Sequence, residues 1–446
     1  MKRFLILSIG IVSLLLVVVT YERLFVEKTF GPAAIAGLSA LALLFIMLLA
    51  SLLLYGTRYR RTVGNAWLAI FSVALTYVAV DLAAGYLLIK PLSPPLVPDK
   101  FRHHRLMPNS NVQFTQRDFS YVQRVNNLGM RGEDRPAEKS PDTIRIVTLG
   151  DSFTMGKGVE DEETFSVGVE RILNERLAVC SSRLTAEVLN GGVDSYAPIL
   201  SYIQLKRDIA PLKPDLVIHN LDVSDLVQEA AYRKIATYAP GGELIGVPQR
   251  ETRNLSLTDR SRNWVEKHLL LTRLLLYYVN RAFGYKELTV RDVVTQANFE
   301  VAAHTLHGDS VDRSQQWVDL FDSLGKISEL SKRIGADYVL TTYPWGHQVN
   351  DREWIPGRYT FMPEGAIASD SSVERVATFA RASGIRYLDL QPAFRAYAGE
   401  APLYFRYDNH MTVRGQALMA REIADFIGET YLPKWCLQVA SDRPHP

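Results

Sequence analysis

The sequence predicts an α/β protein: three N-terminal transmembrane helices, then a three-layer domain on a mainly parallel five-stranded sheet. Three observations carry this. Long apolar runs are confined to the first 90 residues. Beyond residue 140, short β-rich runs alternate with helix-like stretches, the pattern of strands joined by crossover helices. Small and polar residues follow several of those strands, where doubly wound sheets place their sites. Composition narrows the function classes. A net charge of +2 with no basic stripe excludes a nucleic-acid scaffold, so no nucleic-acid partner is expected. With 21 Tyr and 18 Phe among 47% hydrophobic residues, the chain is not of the disordered class. Two cysteines exclude a disulfide-dense scaffold or a Cys-rich zinc module.

The anchor is read as residues 1–90. Its first run, Phe4 to Val19, follows Lys2 and Arg3. A cleaved signal peptide is the competing reading, but the following Thr20-Tyr21-Glu22-Arg23 offers no small-x-small cleavage site. The second run, Ala33 to Tyr55, holds no charge, and the third, Trp67 to Ile89, holds only Asp81. Both exceed the roughly 20 residues that cross a hydrocarbon core. Lys2 and Arg3 precede the first run, and Arg58, Arg60 and Arg61 lie between the second and third. The charges of the intervening loop, Glu22, Arg23, Glu27 and Lys28, cancel. The positive-inside rule then puts the N-terminus in the cytoplasm and everything after Lys90 outside it, in the periplasm if the cell is Gram-negative. The lipid bilayer is thus the first expected partner. Asp81 is either a functional intramembrane carboxyl or a side chain protonated or paired between helices; the second reading is favoured.

Residues 91–140 read as linker and extension. Pro91 to Pro98 is a stiff spacer, and residues 101–140 look polar and irregular. The main domain is expected over 141–430. Its strands are Ile144–Leu149, Ala186–Leu189, Leu216–Leu221, Tyr338–Thr342 and Tyr387–Leu390. Its helices are Thr164–Ala178, Ile199–Ile209, Gln315–Ile334, Ser371–Ala382 and Val413–Ile427. A stretch at about 230–312, with an amphipathic segment from Trp264 to Phe283, breaks the alternation and reads as an inserted cap. Residues 431–446 form a tail.

Two motifs carry chemistry. Gly150-Asp151-Ser152-Phe153-Thr154-Met155-Gly156 lies where the first strand turns into a helix. A serine there projects its hydroxyl near backbone N–H groups, which suits a nucleophile whose attack creates an oxyanion. A phosphate loop would need four residues between its glycines and Lys-Ser/Thr after them; five intervene here, and Gly158 follows Lys157. The bland alternative is a polar turn. Asp408-Asn409-His410 precedes the last helix. Histidine is the usual base for a serine near neutral pH, and a carboxylate two residues away can orient it. An exposed loop histidine is the alternative. Tyr343-Pro344-Trp345-Gly346-His347 follows the fourth strand and either lines an acyl or sugar pocket or is a turn packed by its aromatics. His219, inside an apolar strand, reads as a core histidine. No metal-ligand spacing appears, so neither metal nor cofactor is expected.

Taken together, Gly-Asp-Ser after the first strand, glycine after the second, a polar residue after the third and Asp-x-His before the last helix resemble the SGNH/GDSL hydrolase superfamily. The resemblance spans roughly Ile144 to Ile427 and implies a flavodoxin-like fold. It implies Ser152 as nucleophile, His410 as base and Asp408 as its partner. The oxyanion hole would be Ser152 and Gly192 (Gly191 the near alternative), with Ser224 in the place of the family's Asn. That departure weakens the hole, since a serine hydroxyl reaches less far. Asp151, Asp225, Tyr343, Trp345 and His347 are the expected substrate-binding residues. In such sheets the helices that precede Cys180 and Cys436 pack on one face, so the two thiols either bridge or stay free.

The expected function is a serine ester hydrolase or O-acyltransferase acting on acylated carbohydrate of an envelope or exported glycan, with a membrane partner in glycan synthesis or modification. The opposing reading is a catalytically weak or inactive protein of the same fold that binds glycan or assists its assembly.

Overall fold

The computed structural model describes residues 6–13, 32–54, 57–88, 96–180, 183–249, 264, 269–272 and 299–441. The chain divides into two compact units: residues 1–90 with 252–290, and residues 91–251 with 291–446. The middle of the stretch read as an inserted cap thus groups with the anchor residues. Most of the Trp264–Phe283 segment lies outside the described residues.

In the first unit, residues 6–13 are helical, followed by α1 (Pro32–Leu54) and α2 (Arg60–Leu88). Among the described residues one helix, Arg60–Tyr86, is long and apolar enough to cross a membrane; Leu44–Leu54 is a shorter apolar stretch. The expected three spans are therefore narrowed to one here, and the first run is described only in part. Val12 and Leu48 pack with Phe45 and Trp67, and Trp67 Nε1 donates to Ser51 Oγ at 2.9 Å. Asp81 is fully buried. Its carboxylate accepts from Leu271 N at 2.6 Å, Thr272 N at 3.0 Å and Thr272 Oγ1 at 2.6 Å, at the start of a helical turn. Sequence reasoning looked for its partner on the other spans; backbone N–H groups near residue 271 supply it instead.

The second unit opens with two antiparallel hairpins, β1 (Leu96–Asp99) with β2 (His103–Leu106), and β3 (Ser110–Thr115) with β4 (Ser120–Val125). This corrects the irregular reading of 101–140. In Ser120–Val125 burial alternates, with Tyr121, Gln123 and Val125 inward, and the polar partners on the other face hid that period of two. The strand Leu96–Asp99 also takes in the end of the proline spacer; residues 91–95 lie outside the described residues.

The central sheet joins β5 (Thr143–Leu149), β6 (Thr185–Asn190), β7 (Leu216–Leu221), β10 (Asp337–Thr342) and β11 (Arg386–Asp389) in the order β11-β10-β7-β5-β6, all parallel. A short hairpin, β8 (Thr237–Tyr238) with β9 (Leu244–Gly246), lies outside it. The five strands match the expected ones to within two residues at either end. The sheet runs outward in both directions from β5 and β7, so its crossovers switch sides between them. A crevice opens at that point beyond the strand ends.

Helices cover both faces. One core packs α5 (Pro198–Gln204), α7 (Ser314–Arg333) and α9 (Ser371–Ala382) on the sheet, through Leu200, Leu324, Ile327 and Val376. The other packs α4 (Phe165–Cys180) and α11 (Val413–Thr430), through Phe165, Leu173, Met419 and Ile423. All six residues of β7 are buried. Each of its four aliphatic side chains removed from water contributes about 1.5–3 kcal/mol, while His219 and Asn220 interrupt the apolar run and take buried partners. Beyond α11 the tail forms α12 (Leu432–Ser441). There Cys436 bridges Cys180 at the end of α4, with Cα atoms 5.9 Å apart.

Candidate active site

The first strand ends at Leu149 on the side where the sheet order reverses. Gly150 has φ +147°, and a Cβ there would sit 2.2 Å from Thr154 Oγ1 and 2.9 Å from Asn220 O, so only glycine makes this turn. Asp151 then caps α3 (Ser152–Met155) by accepting from Phe153 N at 2.9 Å. Ser152 is thereby the first residue of a short helix, a position whose N–H has no intrahelical acceptor. Asn220 in the neighbouring β7 ties this turn to the sheet: its Nδ2 donates to Thr154 Oγ1 at 3.1 Å, and its Oδ1 accepts from Thr341 Oγ1 at 2.6 Å. Arg131, buried under the turn that follows, donates to the carbonyl of Met155 at 3.0 Å and to that of Val159, and pairs with Asp161 at 2.7 Å.

His410 comes to Ser152 from 258 residues away. Its Nε2 lies 2.7 Å from Ser152 Oγ, and its Nδ1 bonds Asp408 Oδ1. The His410 backbone N–H donates to the same Oδ1 at 2.9 Å. Asp118, a residue sequence reasoning passed over, holds this loop: its Oδ2 accepts from Tyr407 N and Asp408 N, each at 2.7 Å. Burial alone would raise the Asp408 pKa. The charge and hydrogen bonds of His410, with help from Lys157, outweigh it and bring the carboxyl down to about 2. Asp408 is therefore ionised at neutral pH and keeps Nδ1 of His410 protonated, leaving Nε2 to take the serine proton.

The expected oxyanion residues are placed differently. The Gly192 N–H donates to Asn190 Oδ1 at 3.0 Å and the Gly191 N–H to Thr148 O at 2.9 Å. A Cβ on Gly192 would come within 2.2 Å of Met155 N, so this glycine admits close packing against α3. Ser224 gives its hydroxyl to Asp222 Oδ2, which also accepts the Ser224 N–H at 2.9 Å. Both donors are engaged within the protein because a buried carboxylate or amide oxygen stands beside each.

Asp222 is the hub that sequence reasoning undervalued. Besides holding Ser224, it accepts from Trp345 Nε1 at 2.5 Å, and its own N–H donates to Asp225 Oδ2 at 2.7 Å. Asp151 lies against it, and Tyr343 donates to Asp151 Oδ1 at 3.3 Å. Burial pushes the Asp151 and Asp225 carboxyls well above the usual range, and the charge of Asp222 pushes both further. The expected binding residues Asp151 and Asp225 are thus buried groups joining three loops. Tyr343 lines a narrow cavity of about 40 Å³ with Asp222 and Val223. Trp345 and His347 belong to the packed-turn reading. Trp345 is 2% exposed and stacks on Phe153 at 5.9 Å; the buried His347 meets Thr305 Oγ1 at 2.9 Å, and burial brings it down to about 3. His219 is the core histidine expected, 3.3 Å from the Tyr338 hydroxyl.

Residues 329–439 match the family described as SGNH hydrolase-like domain, acetyltransferase AlgX. This part of the chain is similar to an SGNH hydrolase-like domain. The matched part runs from the end of α7 into α12 and includes Asp408 and His410, while Ser152 lies outside it. No curated protein matches the chain by sequence. Among solved structures, a G-D-S-L family protein from Desulfitobacterium hafniense DCB-2 is 13% identical, with 63% of this chain and 98% of that one covered and a TM-score of 0.33. A catalytic mutant of an acetylxylan esterase from Geobacillus stearothermophilus is 14% identical, with 64% and 94% covered and a TM-score of 0.34.

Proposed function

We propose that this protein is a membrane-anchored serine ester hydrolase or O-acyltransferase that acts outside the cytoplasm on ester-linked acyl groups of an envelope or exported glycan. The observation that carries the reading is the continuous relay Ser152–His410–Asp408 at the switch point of the sheet. Ser152 Oγ attacks the acyl carbonyl while His410 Nε2 takes its proton. His410 then returns that proton to the leaving alcohol, which leaves an acyl-serine. Water or a sugar hydroxyl, deprotonated by the same nitrogen, attacks the acyl carbon and frees Ser152. The Ser152 N–H is the first donor for the oxyanion, and the chemistry calls for no cofactor.

The match of residues 329–439 to an acetyltransferase family supports acyl transfer. The Cys180–Cys436 bridge supports an oxidising compartment, where disulfides persist. The long apolar helix within α2 and the arginines at and before its start support an anchor with a cytoplasmic N-terminus. The lipid bilayer, an acylated carbohydrate and a membrane partner in glycan synthesis or modification are the partners this reading requires.

One observation favours the opposing reading, a weak or inactive glycan-binding relative: the Gly192 N–H and the Ser224 hydroxyl already have acceptors. A fluorophosphonate probe separates the two. Labelling of the full-length protein at Ser152, lost in Ser152→Ala, supports the enzyme; an unlabelled Ser152 in folded protein removes it. With a labile acyl donor, release accelerated by added glycan with acylated sugar formed marks a transferase. Release indifferent to glycan marks a hydrolase.

A further inference from the structure

A second cavity, of about 280 Å³, opens beside the catalytic loops between residues 304–314 and the start of α9. This is close to the lower end of small-ligand sites, roughly 300–1,000 Å³. Three of its wall residues, His304, Trp317 and Ser372, also line the narrow space bounded by Asp222, Val223 and Tyr343. At about 40 Å³ that neck passes a water or a hydroxyl but no ring. The wall is therefore continuous with the loop that carries Ser224, and the His304 ring lies against the Val223 carbonyl.

The chemistry of the walls defines what fits. His304 is 7% exposed, and its Nδ1 has no hydrogen-bond partner. Burial and the neighbouring Arg313 push its pKa down to about 4, so the ring is neutral at ordinary pH. A neutral, unpaired imidazole nitrogen just behind a polar cavity wall suits a hydroxyl or amide, not an anion. Ser371 accepts from Ser369 at 3.1 Å and keeps its own O–H to donate. The charged side chains balance: Arg313 pairs with Asp309 at 3.1 Å, while Arg375 lies over the Trp317 ring and Asp312 binds Ser314. Trp317 supplies an apolar edge between these polar groups.

We infer that this cavity is a second glycan subsite, which holds one uncharged, hydroxyl-rich sugar unit through His304, Ser371 and Trp317. The inference rests on the glycan reading of the Ser152 site and extends it along the chain of the substrate.

The test uses full-length protein in a sugar-free detergent, in the Ser152→Ala background so that nothing turns over. Hexamers of xylose, glucose and N-acetylglucosamine are titrated calorimetrically, with a galacturonate hexamer beside them. At least one neutral hexamer is expected to bind. Ser371→Trp, which fills the cavity from an exposed position, is expected to weaken that binding at least tenfold, and Ser371→Ala only a few-fold. Arg375→Ala provides a second variant at the exposed rim, and circular dichroism and elution volume establish that each variant is folded. Unchanged binding in Ser371→Trp, tighter binding of the galacturonate hexamer, or no binding of any neutral hexamer overturns the subsite. Failure of the catalytic reading shows separately, as absence of fluorophosphonate labelling in the wild type.

Discussion

Asp408 ionises at about pH 2 because His410 stabilises its negative charge more than burial penalises it. A carboxyl whose folded pKa is depressed gives stability that is fully present above its unfolded value, 3.8, and is lost as pH falls through about 2. The lowered value corresponds to on the order of 2 kcal/mol. Asp408→Asn is therefore expected to lose roughly that much stability at pH 7, and several orders of magnitude in kcat as the imidazole loses its orientation. Thermal unfolding and esterase assays on the same preparation check both. Ser152→Ala should abolish turnover, and His410→Ala should come close. Ser224→Ala should change kcat less than tenfold, because its hydroxyl serves Asp222 rather than the substrate; a loss of roughly 10²–10³ would restore it as an oxyanion donor. Asp225 has the opposite sign. Its raised pKa gives stability present below the unfolded value and lost as pH rises through the folded one. Asp225→Asn, whose amide oxygen can still accept from Asp222 N, should thus raise Tm at pH values above the unfolded carboxyl pKa and flatten its decline as pH rises. An unchanged slope would show that Asp225 does not carry that loss.

Three loops meet around Ser152, and each is held by contacts with residues distant in sequence. The β5–α3 turn depends on Gly150, where any Cβ collides with Thr154 and with the Asn220 carbonyl. Gly150→Ala should cost more than 2 kcal/mol and abolish probe labelling, through strain and displacement of Ser152 rather than through lost chemistry. The loop after β7 is organised around Asp222, and the one before α11 around Asp118. Asp118→Ala leaves two backbone N–H groups without their acceptor, so it should lower kcat by ten- to a hundredfold with a smaller change in KM, as expected of a residue that positions Asp408. An equal loss in a probe-labelling rate measured at pH 9 would point to misfolding instead.

Across the second unit, the Cys180–Cys436 bridge ties the end of α4 to α12 over a separation of 256 residues. In the chain-entropy account, closing so long a loop contributes on the order of 5 kcal/mol. Reduction, or Cys180→Ser with Cys436→Ser, should lower Tm by several degrees and leave the labelling of Ser152 intact, since the bridge lies at the ends of α4 and α12 rather than in the triad. A Tm indifferent to dithiothreitol would show that the bridge does not hold this face. Topology is tested separately: an extracytoplasmic reporter fused after Pro446 should be active and a cytoplasmic one silent, and the reverse result would invert the proposed orientation.

The sequence by itself determined the strand-helix alternation and singled out Ser152, Asp408 and His410, in that order along the chain, as the proposed trio. These follow from local signals: apolar runs of β-branched residues for the buried strands, and Gly-Asp-Ser and Asp-x-His each within three residues. The hairpins of 103–125 were harder to read because their polar face masks the alternation. Partnership was beyond local pattern altogether. That Gly192 spends its N–H on Asn190, that Asp222 gathers Ser224, Trp345 and Asp225, that Asp118 supports the Asp408 loop, and that Asp81 meets residues near 271 are facts of contact between segments far apart in sequence. Only the tertiary structure decided them, because a buried polar group takes whichever partner the packing brings within about 3 Å, and spacing along the chain does not encode that distance.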